Sequence, residues 1–289
     1  MVLLEGSNAH VTFIKGRGAF GGGQNTKYVL VEAMDDQIFF NKMMAEYEAY
    51  AERVWCLGGG GKDAVIESVA ELRSLGYHCG IGIVDPDYDP EEYPDGVISL
   101  EKNNLESLLL SSDSFDSAIR TFDLGFNQEK NDEMMDFIKS NGKEMALIRI
   151  FNHNLDEAQS FKCDKLSNAI VSKGFNSKKF AELCLKKPHP RGKMHLEKIR
   201  DGRHRIEIPK NFNSNCWRWI NGKDGINLTI QFIKNVSNIL VDYKKMKMKM
   251  IDSYLPIHFN SERGMIDKIV SYQNAHNVEL FTPEALGIE

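Results

Sequence analysis

The sequence predicts an α/β domain with a mainly parallel sheet over residues 1–112, followed by a mostly helical, basic region over 113–289. Three observations predict it. Across residues 27–100, short β-rich runs alternate with amphipathic helical segments, the pattern of βαβ units and a parallel sheet. From about Ser112 the pattern turns helical and less regular. Charge is also unevenly spread: between Phe161 and Met250 stand 21 Lys and Arg against 7 Asp and Glu, in a chain whose totals are 36 and 41.

The elements follow in order. Lys27-Tyr-Val-Leu-Val-Glu32 is a compact buried-strand pattern after the glycine-rich Gly16–Gly23. Asp35 then suits the cap of a helix on which Phe40, Met44, Tyr47 and Ala51 keep helical spacing. Arg53-Val-Trp-Cys-Leu57 reads as a second strand and Gly58–Gly61 as its turn. Val65, Val69 and Leu72 mark a second helix stopped by Gly76. Cys79–Val84 is a third strand ending directly in Asp85-Pro86-Asp87, and Gly96–Leu100 is a fourth. Asn103 begins a short helix carrying Leu105, Leu108 and Leu109; Asn103-x-x-Glu106 fits a capping box. Further on, Lys186–Lys210 reads as a break rich in Pro, Gly and basic residues, and Ile226–Met250 reads as one long helix.

Several classes are excluded or disfavoured. No run approaches the roughly 18 consecutive apolar residues of a membrane span. The opening MVLLEGSNAH has Glu5 inside what would be the apolar run of a signal peptide, so a cytoplasmic location is expected. Five widely spaced cysteines with no Cys-x-x-Cys pair suggest neither a disulfide framework nor structural zinc. Gly58-Gly-Gly-Gly-Lys62 ends in Lys-Asp and is not a Walker A loop, though it suits either an anion at a helix start or a plain turn. Trp217 and Trp219 flank Arg218 and suit either base stacking or core packing.

The acidic residues carry the chemistry. In open α/β sheets, ligands bind outside the carboxyl ends of the strands. Glu32 ends the first strand and Asp85 and Asp87 end the third, so three carboxylates converge if those strands are neighbours. Two unit charges about 4 Å apart repel by roughly 4 kcal/mol at an effective dielectric near 20, so such a cluster calls for a cation or protons. Oxygen-only ligands favour Mg²⁺ or Mn²⁺, which suit phosphodiester chemistry. A basic region favours a polyanionic partner, or else attraction to the acidic remainder of the same chain.

These residues resemble a known family. Val31-Glu32-Ala33-Met34-Asp35-Asp36-Gln37-Ile38-Phe39-Phe40 resembles the hydrophobic-Glu-Gly-x-x-Asp-x-x-Phe signature that opens a Toprim domain. Ile83-Val84-Asp85-Pro86-Asp87 resembles its Asp-x-Asp motif, and Asn104-Leu105-Glu106-Ser107-Leu108 an Asn-x-Glu element of one Toprim-like branch. That branch includes nuclease effectors of anti-phage systems that work with an ABC-type ATPase, such as PARIS. Asn221-Gly222-Lys223-Asp224 is similar to the branch's late Gly-Lys-Asp element, and Ala33 stands where the family usually has Gly. The resemblance covers residues 25–112 well and is looser to about 225.

The resemblance implies a Toprim-like Rossmannoid fold and a Mg²⁺- or Mn²⁺-dependent endonuclease. Glu32 would be a general acid/base or a metal ligand, and Asp85 and Asp87 would hold the metal. Asp36 and Glu106 would support it, or a second ion, and Lys223 would contact phosphate. It further implies an RNA substrate, with tRNA foremost and DNA as the other option, an ABC-type ATPase partner, and a homodimer as one assembly. Two other readings stay open. A haloacid-dehalogenase-type phosphatase shares hydrophobic-Asp-x-Asp, but Asp89 stands where Thr or Val is expected, and Glu32 would be idle. A non-catalytic, Toprim-like binding or regulatory subunit is compatible with Ala33.

Overall fold

The structure, a computed structural model, describes residues 27–45, 54–88, 92–153, 168–171, 174–185, 197 and 208–288. Most of the expected break at Lys186–Lys210 and part of the basic segment lie outside these residues. The chain divides into two compact units: Met1–Glu101 with Leu255–Glu289, and Lys102–Tyr254. The expected boundary at residue 112 falls inside the second unit.

The first unit is built on four strands, β1 (Lys27–Val31), β2 (Val54–Gly58), β3 (Gly80–Val84) and β4 (Val97–Ser99), all parallel, in the order β2-β1-β3-β4. The α/β class with a parallel sheet is therefore present. From β1 the chain steps through helix α1 (Met34–Ala45) to β2 on one side. It then passes through helix α2 (Gly61–Ser74) back across β1 to β3 on the other. The reversal makes the β1/β3 boundary the topological switch point, where ligands of open α/β sheets bind. Leu30 pairs with Gly82 and Val31 with Ile83, so Glu32 comes level with Val84.

Burial explains why these runs are strands. Tyr28 to Val31 and Gly80 to Val84 are buried throughout, as a sheet covered on both faces requires. Tyr28, Leu30 and Val84 form one core with Val65, Val69 and Leu72 of α2 and Val97 of β4. Helix α1 starts at Met34, earlier than expected. Asp35 and Asp36 therefore sit in its first turn, where the helix dipole favours negative charge.

The C-terminal stretch of the chain belongs to this unit, which no sequence signal indicates. A 3₁₀ segment over Pro256–Glu262 leads into the last long helix, α9 (Arg263–His276). Phe259 meets Phe39 edge-on with ring centres 5.8 Å apart, and Phe281 meets Phe40 at 6.5 Å. Buried Glu262 accepts a hydrogen bond from the Glu101 N–H at 2.7 Å, and the Tyr272 hydroxyl donates to the His78 carbonyl at 3.0 Å.

The second unit is mostly helical: α3 (Leu105–Leu110), α4 (Asp113–Arg120), α5 (Gln128–His153), α6 (Ser177–Leu185), α7 (Gly222–Ser237) and α8 (Tyr243–Ser253). A two-stranded antiparallel ribbon, β5 (Ile170–Val171) with β6 (Gly174–Phe175), completes it. The expected single helix over Ile226–Met250 is two. Asn238 ends α7 in the left-handed conformation at φ 61°, and the Asp242 side chain caps α8 by accepting from the Lys245 N–H. Met246 and Met250 line the buried face of α8, and Lys247 is buried with them.

The cap of α3 is Asn104, not Asn103. Its Oδ1 accepts from the Ser107 N–H at 3.0 Å, the Ser107 hydroxyl at 2.9 Å and the Gly222 N–H at 3.1 Å. Gly222 packs so tightly on Glu106 and Ser107 that a Cβ there would overlap their backbone. Asn104→Ala is expected to cost about 2 kcal/mol, since it removes a cap and orphans a buried N–H at once. Chemical denaturation would show it as a lower midpoint with an unchanged slope.

Candidate active site

Two strand ends and one helix start build the site in the first unit. Because β1 and β3 are neighbours, Glu32 and Asp85 leave the sheet side by side. The Asp85 N–H donates to Glu32 Oε1 at 2.7 Å. Two residues on, Asp87 takes a left-handed backbone at φ 49°, which aspartate tolerates better than most residues. Its carboxylate lies 3.1 Å from the Lys62 ammonium. Asp36 accepts from the Ala33 N–H at 2.9 Å, closing the turn between β1 and α1.

Glycines bring Lys62 here. Gly59, Gly60 and Gly61 all adopt positive φ, which most other residues resist. The Gly59 N–H donates to the Val31 carbonyl at 3.2 Å and the Gly61 N–H to the Glu32 carbonyl at 3.1 Å, tying the start of α2 to the end of β1. A Cβ on Gly58 would come within 2.5 Å of the Ala33 carbonyl. The close backbone approach at this turn is thus made possible by glycine at 58, opposite Ala33, rather than at 33 itself.

The electrostatics single out Glu32. Burial pushes its carboxyl up from the ordinary 4.5 to about 7, and the nearby charges of Asp87 and Asp36 push the same way. The Asp85 N–H and the Lys62 charge oppose the rise without cancelling it. A carboxyl that changes charge near neutrality can give or take a proton under ordinary conditions.

Of the residues expected from the sequence, the first unit therefore sets Glu32 against the Asp85 backbone and within reach of the Asp36 and Asp87 charges. Glu106 and Lys223 fall in the second unit. Glu106 is buried there, its Oε1 2.7 Å from the Lys247 ammonium and 3.3 Å from the Tyr243 hydroxyl. Lys223 is exposed in the first turn of α7. Its neighbour Asp224 is buried and paired with Arg149. Trp217 is a buried core residue, while the indole N–H of Trp219 donates to Asn211 at 3.0 Å. Sequence reasoning does not single out Lys62 as a partner of Asp87. The only signal is its place directly after four glycines, and the pairing depends on strand order.

Among the described residues, no three His, Cys, Asp or Glu side chains are grouped so as to hold a metal ion. A cavity of about 730 Å³ lies elsewhere, beside the start of β4, between Tyr93 and Asp95 on one side and Tyr272 and His276 on the other. None of the carboxylates above lines it.

The first unit is thus an α/β fold with a carboxylate cluster at the switch point of a parallel sheet. No protein-family model matches the chain, and no curated protein matches it. No described helix is long and apolar enough to cross a membrane.

Proposed function

We propose that the chain is a metal-dependent nuclease of the Toprim type that hydrolyses phosphodiester bonds. The observation that carries this reading is Glu32: a half-buried carboxyl held by the Asp85 N–H at the β1/β3 switch point, pushed up to about 7, with Asp87 and Asp36 close by. An isolated structural carboxylate gains nothing from such crowding, whereas a site for a cation or for proton transfer requires it. The donor chemistry supports Mg²⁺ or Mn²⁺, because Glu32, Asp85 and Asp87 present oxygen only. Asp85 and Asp87 would hold the ion, with Glu32 as the proton-transferring group beside it. A bound ion would supply charge neutralisation and an activated water. Glu106, in the second unit and 2.7 Å from the Lys247 ammonium, is not needed for this reading.

The substrate reading rests on the basic stretch between Phe161 and Met250, which suits a phosphate backbone. RNA, and tRNA foremost, follows from the family resemblance, as do a role in anti-phage defence and control by an ABC-type ATPase. The test is a cleavage assay over tRNA, total RNA, single-stranded DNA and plasmid, with Mg²⁺, Mn²⁺ or EDTA, for wild type and Glu32→Gln. Metal-dependent cutting that disappears in Glu32→Gln is the expected result, and the substrate that is cut names the class. Cutting that survives in Glu32→Gln moves the active site elsewhere. No cutting by wild type, alone or with an ABC-type ATPase partner, favours a binding subunit.

A further inference from the structure

We propose that Lys62 is the resident counter-cation of the carboxylate cluster: its ammonium holds Asp87 and must leave that carboxylate before a divalent ion can take it. The inference rests on the metal-dependent reading above and assigns a positioning residue that the family motifs do not contain.

Three observations carry it. The Lys62 side chain is only 15% exposed while that of Asp87 is 44% exposed, so the ammonium reaches from a sheltered stem to a carboxylate at the mouth of the site. The backbone that carries it is held in place. Two backbone hydrogen bonds, Gly59 N–H to Val31 and Gly61 N–H to Glu32, fix the loop that carries it against the end of β1. The cluster it faces, Glu32, Asp36 and Asp87, is net negative, and the Lys62 charge acts on Glu32 as well as on Asp87.

The physical consequence is competition. A lysine ammonium is a compact point charge on a flexible four-carbon stem, able to hold a carboxylate and to withdraw from it. A divalent ion carries twice the charge and displaces it, but each binding event must first break the Lys62–Asp87 pair. Lys62 therefore weakens metal binding without abolishing it.

The test is Mn²⁺ binding followed by calorimetry and by thermal melting, on wild type, Lys62→Met, Lys62→Arg, Asp87→Asn and Lys62→Met/Asp87→Asn. The methionine keeps the apolar stem and removes the charge. Lys62→Met is expected to bind Mn²⁺ about tenfold more tightly, a difference of about 1.4 kcal/mol. Lys62→Arg should restore the wild-type value, and the gain should vanish in the Asp87→Asn background, as coupling between the two residues demands. Equal or weaker binding by Lys62→Met, with wild type binding normally, overturns the inference and leaves the metal reading standing. A gain that persists without Asp87 overturns it too. No Mn²⁺ binding by either protein removes the metal reading, and the inference with it. Lys62→Gln serves in the same comparison if the methionine variant does not melt cooperatively in EDTA.

Discussion

Arg149→Met is expected to destabilise the second unit by about 3–5 kcal/mol. The Arg149 guanidinium donates twice to Asp224, from Nε to Oδ2 at 2.5 Å and from a terminal nitrogen to Oδ1 at 2.8 Å. The Asp224 side chain is 1% exposed, against 13% for Arg149. Removing the arginine leaves a fully buried carboxylate, whereas removing the aspartate leaves a cation that is less completely buried. Asp224→Leu is therefore expected to cost less than Arg149→Met. The double variant Arg149→Met/Asp224→Leu should recover most of the loss, since apolar replacement of a whole buried pair is often neutral or better. Urea denaturation of the four proteins checks this. A double variant as unstable as Arg149→Met would show that the arginine stem, not its charge, holds α5 against α7.

The same pair shows what a motif conceals. Gly222-Lys223-Asp224 reads from sequence as part of a functional element, and Lys223 as its phosphate contact. In the structure the glycine allows α7 to press on Glu106 and Ser107, and the aspartate completes a buried ion pair. Both residue types have packing reasons to be where they are.

The first unit was more legible, because its signals are local. A strand betrays itself by a short apolar run, and Glu32, Asp85 and Asp87 are visible at the ends of such runs. What a single sequence does not contain is strand order. Whether Glu32 meets Asp85 depends on β3 crossing back over β1, and only the β2-β1-β3-β4 order settles it. Lys62 is hidden for the same reason, since it stands 25 residues from Asp87 and meets it only across the sheet's end. The return of Leu255–Glu289 to the first unit rests on aromatic contacts at long range, Phe259 with Phe39 and Phe281 with Phe40. The split between α7 and α8 was written in Asn238 and Asp242, a left-handed stop and a cap. The apolar Ile239-Leu240-Val241 between them mimics continued helical periodicity.

Glu32→Gln is expected to raise stability at pH 8 while it lowers cleavage, by about a hundredfold or more if Glu32 moves a proton in the reaction. The stability effect follows from the raised pKa. Below pH 4.5 Glu32 is protonated in both the folded and the unfolded chain, and its charge costs nothing. Between 4.5 and about 7 the unfolded chain ionises it while the native protein keeps the proton. The native state then binds more protons, and stability falls as pH rises. Above about 7 the native protein must carry the half-buried charge, at a full cost of about 3 kcal/mol for a shift of this size. Glutamine removes that cost and still offers an oxygen to the Asp85 N–H. Urea melts in EDTA at pH 4, 6 and 8 should therefore show a difference near zero at pH 4 that grows to about 3 kcal/mol in favour of Glu32→Gln at pH 8. Other titrating groups are shared by the two proteins and cancel in the difference. A variant less stable than wild type at pH 8 would make Glu32 a structural acceptor for β3 and nothing more. Gain of stability joined to loss of cutting is the signature of a charge kept for chemistry, because a carboxylate that only destabilises its own fold has no structural reason to stay.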